Sequence, residues 1–146
     1  MIKRILVASA ICLMAVSAVV AAENMHDSRE AAMKKIGGAM GGLSAIAKGE
    51  KPYDAATVKT SLTTISETIK VFPNYFPVGS EKDDEVASPK IWENMADFKA
   101  HADKLGADAD TLLAQLPADQ AAVGAAMGTL GKDCGSCHEI YRLKKK

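Results

Sequence analysis

The chain has 146 residues, with 18 basic and 18 acidic side chains, so its formal net charge at pH 7 is zero. This balance gives no electrostatic reason to expect nucleic acid as a partner. The length allows one small domain with one hydrophobic core.

The first 22 residues have the pattern of a secretory signal peptide. Lys3 and Arg4 precede an apolar run over residues 5–20, which ends in small residues suited to cleavage. A transmembrane anchor is the alternative, because the run is only slightly shorter than a membrane span. Since the small residues favour cleavage, we expect a signal peptide at 1–22. The mature domain at 23–146 then carries 16 basic and 18 acidic residues, a net charge of −2.

Apolar residues at helical spacing predict helices and no strand in the mature chain. Asp54 and Asp119 are suited to begin the second and fourth helices as N-caps, and Pro73 and Pro117 end the second and third. The four predicted helices cover about residues 25–48, 54–72, 88–116 and 119 onward. Two short connections and one longer irregular segment, 74–88, join them. The pattern predicts an all-α, antiparallel (up-down-up-down) four-helix bundle.

Glycines interrupt the apolar pattern of the first predicted helix. Gly37, Gly38, Gly41 and Gly42 each weaken a helix relative to alanine. Two interpretations remain open at this stage. The backbone comes close to a flat ligand or a neighbouring helix there, or the helix breaks near Gly41 and Gly42. Gly106 is expected to weaken the third helix in the same way.

The fourth predicted helix ends in Cys134-Gly-Ser-Cys137-His138, the Cys-x-x-Cys-His pattern by which a c-type haem is attached. On a helix these three side chains share one face, because they are three and four residues apart. Each thiol can form a thioether to one haem vinyl group, and the imidazole then becomes the proximal iron ligand. The motif predicts one covalent haem c.

Three other interpretations of these cysteines are possible. A disulfide between Cys134 and Cys137 does not explain the adjacent histidine. A thioredoxin-like pair needs a βαβ context, which the sequence lacks. A zinc site needs further ligands, and among histidines only His26 and His101 remain. We expect both of these histidines at the surface.

Three stretches of the sequence resemble the cytochrome c′ family, the class II c-type cytochromes. They are Ala45–Asp54, Pro89–Trp92 and Cys134–Arg142, and they are spread over nearly the whole mature chain. The haem motif closes the last helix, whereas class I cytochromes c carry it near the N-terminus. The resemblance implies the same four-helix bundle that the apolar pattern predicts.

The resemblance also implies a distal position on the first helix, which Met33 matches, twelve residues before Ala45. Low-spin members, the cytochrome c-556 type, ligate the iron with such a methionine and carry electrons. High-spin members leave the iron five-coordinate and bind nitric oxide or carbon monoxide, and a methionine there is then only packing. The amino-acid sequence of Gly49–Asp54 resembles that of the low-spin members more closely. Met40 and Met25 fit the spacing less well.

Two arginines match family positions near the haem. Arg29 matches a residue placed to pair with a haem propionate, and Arg142 matches one beside the proximal histidine. For each, an ordinary solvated arginine is the alternative. Trp92 is expected to be a core or loop anchor.

The sequence thus predicts a periplasmic, non-enzymatic electron carrier with His138 and Met33 as axial ligands. Its expected partners are periplasmic or membrane-bound redox proteins, and not nucleic acid. The resemblance also suggests a homodimer through the first two helices. A five-coordinate protein that binds nitric oxide or carbon monoxide is the alternative. Peroxidase-like chemistry is disfavoured, because Met33, Ile36, Gly37 and Met40 offer no acid or base.

Overall fold

The computed structural model describes the backbone of residues 2–82 and 84–144 and the side chains of residues 25–82 and 84–144. The predicted signal peptide, 1–22, lies outside the residues whose side chains are described, so it stays a prediction. Among the residues that the structure describes, no helix has both the length and the apolar character needed to cross a membrane.

Helices account for most of the described chain. They are α1 (Ile2–Ala47), α2 (Ala55–Val71), α3 (Lys90–Glu93), α4 (Met95–Ala114) and α5 (Gln120–Tyr141). The four long helices form a bundle in which α1 and α4 each pack against both α2 and α5. The predicted four-helix bundle is confirmed.

Two aspartates begin helices as the sequence predicts. The Asp54 carboxylate accepts a hydrogen bond from the Thr57 N–H at 2.8 Å, and the Asp119 carboxylate accepts one from the Ala122 N–H at 2.8 Å. Each bond satisfies an N–H that has no partner within the helix. After α2 the chain tightens into a 3₁₀ turn, Phe72–Tyr75, which contains Pro73. A proline cannot donate the hydrogen bond that would continue the α-helix.

The sequence predicts one helix over residues 88–116. This prediction is wrong, because the structure divides the segment at Asn94 into α3 and α4. This residue has φ −137° and ψ 58°, which is not helical, and its side chain accepts from the Asp97 N–H at 3.4 Å. Asn94 therefore ends α3 and caps α4. Gly106 does not interrupt α4. A Cβ added there would lie 3.3 Å from Lys70 Cγ, so this glycine brings α4 close to α2.

α1 continues without a break through its glycines to Ala47, so the interpretation in which the helix breaks near Gly41 and Gly42 is wrong. A Cβ added at Gly42 would lie 3.5 Å from Ser61 Oγ on α2. One added at Gly37, Gly38 or Gly41 would meet no described atom within 4 Å.

The core lies between the four long helices, each of which contributes apolar side chains. Its largest fully buried side chains are Leu43, Ile46, Leu62, Ile65, Leu130, Val58 and Val123. At one end of the bundle, aromatic rings meet edge to face, and Phe98 packs 4.9 Å from Phe76 and 5.2 Å from Tyr141, measured between ring centroids. Such pairs add about 0.5–1.5 kcal/mol beyond the area they bury.

Candidate functional site

The three residues of the haem motif lie in the last two turns of α5, which stays helical to Tyr141. Cys134 and Cys137 are half-buried and pack against the core, whereas the His138 side chain is exposed. Helical spacing places the three side chains on one face. The helical setting that the sequence predicts for the motif is therefore present.

The two thiols are free, so the disulfide alternative receives no support. Burial raises the pKa of Cys137 to about 11, with further contributions from Cys134 and Asp97. Burial and then the Asp133 carboxylate raise the pKa of Cys134. Both sulfurs are protonated near neutral pH, which slows disulfide exchange because the thiolate is the reactive form.

His138 is electrostatically suited to remain neutral. Although its side chain is exposed, desolvation by the surrounding protein lowers its pKa, and the positive charge of Arg142 lowers it further. The neutral imidazole is the form that binds a metal. Among the described residues, no three His, Cys, Asp or Glu side chains form a metal-binding group, so the zinc alternative receives no support.

The distal candidate lies on α1. Met33 and Met40 are both half-buried and pack against the core. Gly37 follows Met33 by four residues and Met40 follows it by seven, so all three share a helix face. Because α1 packs directly against α5, this face is on the helix next to the haem motif.

Arg29 lies one turn before Met33 and is 5% exposed, so it is not the solvated arginine that was one alternative. Its Nε donates to the Tyr75 carbonyl oxygen at 2.8 Å, and its Nη1 donates to Asp84 Oδ2 at 2.6 Å. Its Nη2 donates to Ser80 Oγ at 2.6 Å, and the guanidinium carbon lies 4.3 Å from the Phe76 ring centroid. The pairing of Arg29 with a haem propionate stays a prediction.

Arg142 is exposed and lies just beyond α5 in extended conformation. It forms an isolated antiparallel bridge with Ala87, at the end of the irregular segment. Its position one turn after His138 agrees with its effect on the histidine pKa. Arg142 is thus close enough to act electrostatically on the proposed proximal ligand.

A sequence model of the family described as Cytochrome C′ matches residues 24–142 of the chain. The chain belongs to the cytochrome c′ family. A cytochrome c-556 from Agrobacterium tumefaciens (strain apple 185) is 64% identical over 120 residues, which cover 82% of this chain and 95% of that relative. A cytochrome c-556 from Rhodopseudomonas palustris is 39% identical over an alignment 150 positions long, which covers 99% of this chain and 99% of that relative.

Solved structures of cytochrome c′ proteins agree with the fold. A structural model of oxidised R. palustris cytochrome c556, validated by NMR, matches with a TM-score of 0.75 and 36% identity, over 85% of this chain and 99% of that one. Cytochrome c′ from Rhodopseudomonas palustris matches with a TM-score of 0.78 and 35% identity, over 84% of this chain and 98% of that one.

Cytochrome c′ and c-556 proteins carry covalently bound haem c, and they transfer electrons or bind gases. The residues of this chain fit such a group. Two free thiols and a histidine occupy one face of α5. On the neighbouring helix, Cβ atoms added at Gly37 and Gly41 would meet no described atom within 4 Å, so the α1 backbone leaves space for a flat ligand.

A charged cluster that the sequence analysis did not identify lies beside the haem motif. Asp133 is 5% exposed, and its Oδ1 lies 3.1 Å from Lys104 Nζ on α4. Lys104 also pairs with Asp108 at 2.7 Å. Burial raises the pKa of Asp133, whereas the hydrogen bond from Lys104 lowers the pKa of Asp108. Burial thus makes Asp133 the weaker acid of the two carboxyl groups that flank Lys104.

His101, expected at the surface, is half-buried instead. Its Nδ1 lies 3.4 Å from the hydroxyl oxygen of Ser136, inside the haem motif, and its Nε2 lies 3.6 Å from Asp97 Oδ2. The four-residue spacing of Asp97 and His101 could have indicated their pairing. The contact with Ser136 joins residues 35 apart in sequence, which no local pattern reveals.

Proposed function

We propose that the chain is a single-electron carrier of the periplasm, with a haem c attached through Cys134 and Cys137. His138 is the proximal ligand in this proposal and Met33 the distal one. The proposal rests on one observation above all. Met33 is half-buried on the face of α1 that also carries Gly37, and α1 packs against the helix of the haem motif. The similarity to cytochromes c-556 supports the same assignment.

Each side chain has a defined task in this proposal. When bound, haem c supplies the one-electron oxidation and reduction. The thioether bonds fix the position of the haem, and the lowered pKa of His138 favours the neutral imidazole as ligand. A neutral methionine thioether stabilises the ferrous state and raises the reduction potential. Two ligands held by packed helices limit rearrangement between the oxidation states.

The α1 residues around Met33 also argue against an enzymatic function. General acid–base catalysis needs a group that titrates within hydrogen-bonding reach of a substrate. The α1 face around Met33 instead presents Ile36, Gly37 and Met40. We therefore propose no catalytic residue, and electron transfer remains the function.

Location and partners follow from the signal-peptide pattern and the redox role. We propose export through residues 1–22 and periplasmic or membrane-bound redox proteins as electron donor and acceptor. We also propose a homodimer through α1 and α2. The mass of the mature protein reports cleavage after residue 22, and sedimentation over a range of concentrations reports the dimer.

The decisive experiment is the visible spectrum of the haem-loaded protein, oxidised and reduced, with and without carbon monoxide. We expect a far-red sulfur-to-iron band in the oxidised protein and little response of the reduced protein to carbon monoxide. Met33→Ala should abolish the band and allow carbon monoxide to bind.

Met40→Ala is the matched control, because Met40 is also half-buried and lies on the same helix face. This variant should keep the band. A wild-type protein that lacks the band and binds carbon monoxide would instead support the five-coordinate, gas-binding alternative. Loss of the band only in Met40→Ala would move the distal ligand to Met40.

A further inference from the structure

Asp84 connects two parts of the molecule that are far apart in sequence. Its side chain is 4% exposed, and its Oδ2 accepts the 2.6 Å hydrogen bond from Arg29 Nη1 on α1. Its Oδ1 accepts hydrogen bonds from the backbone N–H groups of Val86 at 3.0 Å and Ala87 at 2.9 Å. One carboxylate therefore holds α1 with one oxygen and a tight turn with the other.

That turn is paired with the end of α5. The Leu143 N–H donates to the Val86 carbonyl oxygen at 2.8 Å, and the Ser88 N–H donates to the Tyr141 carbonyl oxygen at 3.0 Å. Ala87 and Arg142 lie between these two bonds as an antiparallel bridge. We call Arg29, Asp84 and the paired residues 86–88 and 141–143 the inter-helix tie.

The inter-helix tie begins and ends one helical turn from the proposed iron ligands. Arg29 precedes Met33 by four residues on α1, and Arg142 follows His138 by four residues at the end of α5. Two kinds of hydrogen bond connect the two helices. The buried Asp84 side chain bonds to Arg29 and to the backbone of Val86, and backbone groups of residues 86–88 bond to those of residues 141–143. A displacement of Asp84 would therefore change the distance between α1 and α5.

We propose that the Arg29–Asp84 ion pair sets the distance between the helices that carry Met33 and His138, and thereby the strength of the bond between Met33 and iron. Asp84 is then a positioning residue, which acts through Arg29 and through the backbone of residues 86–88. The inference rests on the proposed function, because it concerns the Met33 ligand. Groups that hydrogen-bond directly to a metal ligand commonly change metal binding 10- to 100-fold when they are replaced, and Asp84 acts one contact farther away.

Electrostatics keep the pair intact at neutral pH. Burial favours the protonated form of Asp84, but hydrogen bonds from Arg29 and from the Ala87 and Val86 N–H groups outweigh it and lower the pKa below 3.8. Arg29 is further fixed by the Phe76 ring and the Tyr75 carbonyl oxygen. Among the described ion pairs, His26 Nδ1 on α1 also approaches Asp84 Oδ2, at 3.6 Å.

Two substitutions cut the inter-helix tie at different points. Asp84→Asn removes the charge but keeps an amide oxygen that can accept from Val86 and Ala87. Leu143→Pro removes the N–H that donates to Val86 and leaves the buried ion pair untouched. Arg142 already has φ −110° and ψ 122°, a conformation compatible with a following proline. Leu143→Ala, which keeps the N–H, is its control.

Tyr53→Phe controls for a general loss of stability. It deletes the 2.9 Å hydrogen bond from the Tyr53 hydroxyl to the Pro117 carbonyl oxygen, at the opposite end of the bundle. All variants are studied as haem-loaded protein, and urea unfolding is measured on the same samples. The second substitution keeps the test decisive if Asp84→Asn does not fold.

We expect Asp84→Asn and Leu143→Pro to weaken the far-red sulfur-to-iron band and to raise the apparent affinity for carbon monoxide by up to roughly tenfold. Leu143→Ala and Tyr53→Phe should match the wild type in both measurements. If the wild type shows the band and both cutting variants keep it unchanged, the inference fails while the proposed ligation stands. A wild-type protein without the band would contradict both the inference and the proposed Met33 ligation.

Discussion

The Tyr141 hydroxyl donates a 2.6 Å hydrogen bond to Asp97 Oδ2, which joins the last turn of α5 to the first turn of α4. Tyr141 is 4% exposed, and its ring packs against Phe98 and His101. The bond lies one turn beyond the haem motif. It therefore fixes the end of the helix that presents His138.

Tyr141→Phe should lower the free energy of unfolding by about 1–2 kcal/mol, because the hydrogen bond that the buried tyrosine donates to the Asp97 carboxylate is lost. Burial and the Asp97 carboxylate raise the pKa of Tyr141 to about 12. An acid whose pKa is raised in the folded state stabilises that state less as pH rises. Stability should therefore fall as pH rises from 10.0 through about 12.

Urea unfolding and the alkaline absorbance titration of tyrosine test this prediction together. The phenol that titrates near pH 12 should be missing in Tyr141→Phe and present in Tyr53→Phe. A titration that Tyr141→Phe leaves unchanged would contradict it.

The charged cluster around Asp133 predicts a second pH dependence. Because burial raises the pKa of Asp133 above 3.8, the folded state loses stability as pH rises from 3.8 through that raised value. Asp133→Asn should remove this loss, so its stability relative to the wild type should increase between about pH 3 and pH 7. Lys104→Met should have the opposite effect, since it deletes the cation that offsets the buried charge.

The measurement is the urea midpoint of each haem-loaded variant across this pH range. Lys34→Met is a control, because Lys34 pairs only with exposed Glu30 among the contacts described for its Nζ. Parallel pH curves for Asp133→Asn and the wild type would show that Asp133 does not titrate as its burial indicates.

The glycines of α1 predict a contrast between two adjacent positions. Alanine in place of glycine stabilises a helix interior by about 1 kcal/mol where nothing obstructs the methyl group. A Cβ at Gly37 or at Gly38 would meet no described atom within 4 Å, but Gly37 shares the face of Met33. In the haem-loaded protein, Gly38→Ala should raise stability by about 1 kcal/mol. Gly37→Ala should lower stability and weaken the far-red band.

The spectrum and urea unfolding of the two variants provide the comparison. Equal stabilisation by both substitutions, with unchanged spectra, would place the haem away from this face of α1.

Local chemistry accounts for the features that the sequence predicted correctly. Asp54 and Asp119 cap helices through hydrogen bonds to residues three positions later, and a pattern of that length is visible in the chain. The Cys-x-x-Cys-His motif and the apolar stripes likewise depend on neighbours within a few turns. These patterns were sufficient for the bundle and for the face that carries the motif.

Long-range contacts account for what the sequence did not reveal. Arg29 and Asp84 are 55 residues apart, and only the folded chain shows that the arginine is buried. The division at Asn94 was missed because asparagine is tolerated inside helices, and the tertiary path of the chain decided its conformation. Of the two interpretations left open for the α1 glycines, the break at Gly41 and Gly42 does not occur, since packing of α1 against α2 and α5 outweighs glycine's low helix propensity.

Trp92 is the only tryptophan of the chain, and it lies beside the inter-helix tie. Its Nε1 donates to the Pro77 carbonyl oxygen at 3.1 Å, and its ring lies 5.3 Å from the guanidinium carbon of Arg29. The protein thus contains one indole fluorophore, at the point where α1 meets the irregular segment. Its emission reports the surroundings of that end of the bundle, so stopped-flow fluorescence can time the opening of this end.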